Sequence, residues 1–143
     1  MDVSEIRKQI LRALDNARKD AEAKRQTTDH AKGDYEIFLR DIAVPLFRQA
    51  SDVLRALGHE FSTNTPEGSV RLEGASAHEY LELEFDPRAG GGQVIGRTGL
   101  MRGRSGPLVE ERPLAPGKKI SDLTDTDVAA FLTTEIPRLV MRT

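Results

Sequence analysis

Hydrophobic residues in the first third of the chain return at spacings of three and four. Val3, Ile6, Ile10, Ala13 and Ala17 form the stripe, and Leu11 and Leu14 widen it. Ser4 can begin a helix there, and neither Gly nor Pro interrupts before Gly33. A helix from Asp2 to Lys32 would be on the order of 45 Å long. Its apolar stripe does not last that far. Lys24, Arg25, Gln26, Thr27, Thr28, Asp29 and His30 are polar on every side, so only the first half has a face to bury.

Gly33 fits the position just past a helix end, and Asp34 can cap a second helix from Tyr35 to Leu57. That helix carries Ile37, Phe38, Leu39, Ile42, Val44, Leu46, Phe47, Val53, Leu54 and Leu57, more than one stripe, as a helix buried on two sides requires. Pro45 removes a backbone donor in its middle and predicts a kink; Gly58 ends it. Folding back at Gly33 would make a long helical hairpin, with Val3 to Ala17 against Gln49 to Leu57. The polar stretch would then face Tyr35, Phe38 and Ile42, which need another partner: the sheet, the last helix or a second chain.

From Phe61 the period becomes two. Val70 and Leu72 alternate with Arg71 and Glu73; Leu81, Leu83 and Phe85 alternate with Glu82 and Glu84. Gln93 to Arg102 and Leu108 to Leu114 read as further strands joined at Gly103–Gly106, and short connections imply an antiparallel meander of about four to five strands. Thr124 with Asp127 resembles a capping box. It opens a last helix striped by Val128, Phe131, Leu132, Ile136, Leu139 and Val140. The expectation is one α+β domain over 1–143: a helical hairpin at 1–58, an antiparallel sheet at 59–119 and a C-terminal helix at 120–143.

Composition narrows the picture. Of 143 residues, 38% are hydrophobic, 5% aromatic and 31% charged, with no Trp, so the core is sparse and part of the chain is expected to be elongated or flanked by solvent. A net charge of −2 gives no global attraction to polyanions. The absence of cysteine removes disulfides, thiolate metal sites and a Cys nucleophile. No window approaches a membrane span, and Met1 to Asp20 lacks the apolar core of a signal peptide, so a cytoplasmic chain is expected.

Candidate chemistry concentrates in one segment. Gly91-Gly92-Gln93-Val94-Ile95-Gly96-Arg97-Thr98 has the spacing of a phosphate-binding loop with Arg in the lysine position, but such a loop must open a helix, and Val94-Ile95 reads as strand. Gly96-Arg97-Thr98-Gly99 is echoed by Gly103-Arg104-Ser105-Gly106. Pro87 to Lys119 carries seven basic residues against two acidic ones, whereas Phe61 to Asp86 carries one against six. Two readings follow. Arg97, Thr98, Arg102, Arg104 and Ser105 can form a face for an anionic ligand or nucleic acid over 88–106. Alternatively, neighbouring strands of opposite sign pair across the sheet, Glu82 and Glu84 against Arg97. The histidines, His30, His59 and His78, have no metal-ligand spacing, and Asp122, Asp125 and Asp127 lack a calcium register. No nucleophile elbow and no desolvated acid pair is visible, so no enzyme, cofactor or metal is expected. The favoured expectation is a protein–protein interaction module, an adaptor, chaperone or assembly protein. It would be a homodimer or bind a partner protein through Val3, Ile6, Ile10, Ala13, Ala17, Tyr35, Phe38 and Ile42.

Overall fold

The Asp2 carboxylate accepts the hydroxyl of Ser4 at 2.9 Å and its backbone N–H at 3.5 Å, starting helix α1, Val3–Phe38. The computed structural model describes residues 2–88 and 90–141. Helix α1 does not stop at Gly33. That residue keeps a helical backbone, and Asp34, rather than capping a new helix, lies 3.5 Å from His30 one turn back. The hairpin expected over 1–58 is therefore absent. A glycine inside a helix costs about 1 kcal/mol, and burying Tyr35 and Phe38 on the same helix far exceeds it.

The ladder first changes at Leu39–Ala43, one π-helical turn, before α2 runs Val44–Ala56. Val44 donates to the Leu39 carbonyl five residues back. This wider turn makes room for Pro45, which has no N–H to give and whose ring would crowd an α-helical carbonyl. The predicted kink is realised as this bend.

Strands β1 (Ser62–Asn64), β2 (Ser69–Glu73), β3 (Tyr80–Asp86), β4 (Gln93–Arg102) and β5 (Gly106–Pro113) form one antiparallel sheet in sequential order. The class is α+β, as expected from the change of period. Helix α3, Asp125–Val140, opens with the anticipated capping box, Thr124 donating its N–H to Asp127 at 2.9 Å. One face of the sheet is covered. Val70, Leu72, Leu81 and Leu83 lie there fully buried, against Phe47 from α2, Val128 and Phe131 from α3, and Tyr35 and Phe38 from the end of α1. The Tyr35 hydroxyl donates to the Gly68 carbonyl at 2.7 Å, and its ring stacks on Phe85 at 5.4 Å. Ser51 and Thr63 share a hydrogen bond of 2.9 Å that ties α2 to β1. No helix among the described residues is long and apolar enough to cross a membrane.

Candidate interaction surface and the glycine–arginine hairpin

Every described residue from Asp2 to Thr27 is exposed. Within that stretch the apolar stripe faces solvent: Val3 is 79% exposed, Ile10 52%, and Leu11 and Leu14 55% each. Ile6, Ala13 and Ala17 are exposed with them. About 24 residues of helix thus project from the sheet, on the order of 36 Å.

The stripe continues in phase into the core. From Ala17 the positions Ala21, Lys24, Thr28, Ala31, Tyr35 and Phe38 follow at spacings of three and four, so all lie on one side of the helix. Thr28 and Ala31 are half-buried, and Tyr35 and Phe38 are 2% and 3% exposed. The side that packs on the sheet is the side that carries Val3 to Ala17 beyond it. Of the eight residues expected at an interface, Tyr35 and Phe38 are taken by the chain's own core, and Ile42 is half-buried against it. The partner they needed is the sheet. Val3, Ile6, Ile10, Ala13 and Ala17 remain available, and Leu11 and Leu14 belong with them.

The loop between β3 and β4 clasps the base of the projection. A Cβ on Gly91 would meet the Thr27 methyl at 2.9 Å, and one on Gly92 the Ala31 Cβ at 3.1 Å and the Phe85 ring at 2.6 Å. Beside this contact lies a cleft of about 620 Å³ lined by His30, Asp34, Gly90–Gln93 and Gly117–Ser121. Of its two lysines, Lys118 is bound to Asp127 at 3.0 Å.

The two echoed motifs do different things. In the first, Gly96 lies under Phe131, where a Cβ would come within 2.5 Å of the ring, and Gly99 lies under Tyr80 at the same distance. Thr98 is buried. Arg97 donates to Glu111 at 2.7 Å, to Glu82 at 3.0 Å and to Glu84. Glu82 also accepts from Arg71 at 2.9 Å, and the register places Arg71, Glu82, Arg97 and Glu111 directly opposite one another on four successive strands. This alternating row crosses the uncovered face of the sheet. It holds the Arg97 proton more firmly than usual, Glu111 first and then Glu84 and Glu82, although partial burial opposes it. The cross-strand pairing of Glu82 and Glu84 with Arg97, foreseen from alternation, is the arrangement found.

In the second motif, Gly103 and Gly106 have φ of +43° and +81° and turn the chain at the tip of the β4–β5 hairpin, leaving Arg102, Arg104 and Ser105 exposed. The five residues proposed for an anion therefore do not converge. The phosphate-loop spacing runs straight into β4, which continues to Arg102 with no helix to hold a phosphate. Among the described residues no group of three His, Asp or Glu side chains is arranged for a metal ion.

No family model matches the chain, no curated protein matches its sequence and no solved structure matches its fold.

Proposed function

We propose that this chain is a non-enzymatic protein–protein interaction module, an adaptor, chaperone or assembly protein, which self-associates through the projecting half of α1. One observation carries the reading: the apolar stripe from Val3 to Ala17 is exposed although the rest of the chain completes a core without it. Isolated helices are marginal in water, and burial of an amphipathic face is what usually stabilises them. A second copy supplies that burial most simply, since homo-oligomers with two-fold symmetry are the commonest assemblies. The proposal places the chain in the cytoplasm, where a protein without cysteine is indifferent to reducing conditions.

The alternative, an anionic-ligand or nucleic-acid-binding domain on residues 88–106, has less support, because Arg97 is committed to three carboxylates and Thr98 is buried. Light scattering over a range of concentrations tests the favoured reading. The full chain is expected at twice its monomer mass, falling to the monomer mass in Ile10→Glu and in Leu14→Glu, whose exposed positions leave the fold intact. A full chain that stays monomeric at every concentration would reject self-association.

A further inference from the structure

The shape and flanks of the stripe specify how two copies meet. We infer that the projecting helices pair antiparallel, crossing near Ile10, with the sheets at opposite ends of the pair; this rests on the self-association proposed above.

Three observations point the same way. The first is the position of the body. Because the stripe is in phase with Tyr35 and Phe38, the sheet lies on the side of α1 where a second helix must dock. In a parallel pair both sheets would crowd into the same end, between the two helices. In an antiparallel pair each helix points its first residues toward the other copy's sheet and stops short of it.

The second is the asymmetry of the stripe. Helical geometry puts Leu11 and Leu14 along one border of it and Gln9 and Asn16 along the other. A two-fold axis across the helices brings each border against itself. With the crossing near Ile10, Leu11 then meets Leu11, Gln9 meets Gln9, and Leu14 comes level with Ile6 of the second copy. A two-fold axis along the helices brings each border against the opposite one, leaving Leu11 and Leu14 against Gln9 and Asn16 of the second copy.

The third is size. Val3, Ile6 and Ile10 fill the first half of the stripe, and Ala13 and Ala17 the second. Antiparallel pairing about Ile10 sets Val3 against Ala17 and Ile6 against Ala13 of the second copy, with Ile10 meeting itself at the crossing, so the bulk is shared evenly between the two ends. Parallel pairing stacks isoleucine on isoleucine and alanine on alanine, so the helices would be splayed at one end and gapped at the other.

Charge argues the other way. Arg7 and Arg18 lie on the leucine border and Asp2 and Asp20 on the amide border, so a parallel pair would bring opposite signs together. Exposed ion pairs contribute little, however, and burying two leucines from each copy contributes considerably more.

The chain has no cysteine, so Arg25→Cys on the exposed polar stretch takes a single spin label. In the antiparallel pair, labels on residue 25 of the two copies are about 45 Å apart, fifteen residues on either side of the crossing. In a parallel pair they are under about 25 Å apart, the helix spacing plus the label arms. A pulsed-resonance distance near the larger value is the expected result. A dimer with the short distance would overturn the arrangement and leave self-association standing. A full chain that remains a monomer by light scattering at the same concentrations would overturn both and assign the stripe to a partner of different sequence.

Discussion

Gly96 stands in the best match to a phosphate-binding spacing, yet its structural role is to admit an aromatic ring. A Cβ there would come 2.5 Å from Phe131 Cε2, 3.0 Å from Cζ and 3.1 Å from Cδ2, against the ~3.5–4.0 Å at which carbon atoms attract. Gly96→Ala must therefore push α3 from the sheet by roughly 1 Å or force the ring off its rotamer, and overpacking of this kind costs about 1–3 kcal/mol. The backbone at Gly96 is not left-handed. Alanine consequently returns about 0.4–1 kcal/mol by restricting the unfolded chain. The net expectation is a loss of about 1–2 kcal/mol, which at this chain length lowers Tm by about 3–4 °C per kcal/mol.

Phe131→Leu removes the ring end and should cost roughly 1–2 kcal/mol by itself, below the range for truncation to alanine. The double variant should be more stable than the two losses added, by about 1 kcal/mol or more. With no tryptophan in the chain, urea unfolding followed by far-ultraviolet circular dichroism is the suitable assay. Losses that add within about 0.5 kcal/mol, or a Gly96→Ala variant as stable as the parent, would refute the packing argument. A variant that kept its stability but lost retention on a phosphate resin would return the glycine to a ligand role.

Other consequences are open to similar checks. Burial first, then the charges of Glu84 and Glu82, pushes the Tyr35 hydroxyl pKa well above its ordinary value, so it stabilises the fold below about pH 10, and that contribution is lost as pH rises and the unfolded chain ionises. Tyr35→Phe should be about 1 kcal/mol less stable at neutral pH, yet lose less stability in alkaline urea titrations; parallel losses would contradict this. The Thr124 N–H, helped by Lys118 and opposed by burial, holds the Asp127 carboxyl below the usual range. Asp127→Ala should cost about 0.3–1 kcal/mol at pH 7, a gap that closes as pH falls below about 4; a gap independent of pH would remove the carboxylate from the explanation. Arg97→Ala leaves the buried Glu82 with Arg71 alone and should cost about 1.5–3 kcal/mol without changing retention on phosphate resin. Weakened retention would instead reinstate the anion face.

The strands at Ser69–Glu73 and Tyr80–Asp86 were legible because alternation over five to seven residues has no competing explanation, and Gln93–Arg102, read as a strand without it, is found with both ends as read. Strand β1 escaped, since Ser62–Asn64 is three polar residues with no period to detect. The fold-back at Gly33 misled for a different reason. Glycine and a following aspartate are local stop signals, whereas the burial of Tyr35 and Phe38 that carries the helix through them depends on strands some fifty residues further on. The candidate surface was legible as a stripe but not as a surface. Spacing alone assigns Ile10 and Tyr35 to the same side, and only the reach of the sheet separates the exposed half from the core half. Arg97 was the reverse case, its partners readable from sign alternation while its glycine neighbours mimicked a ligand loop.

The ladder of α1 runs unbroken from Val3 to the first π-helical hydrogen bond at Leu39. The segment from Arg18 to Thr27 is therefore a coupling shaft, which sets both how far the stripe stands from the sheet and the compass direction in which it looks. Its residues are largely interchangeable, but their number is not. Deleting a single one would turn the stripe by about 100° and point it away from any partner, whereas deleting seven would shorten the reach by about 10 Å and restore the heading.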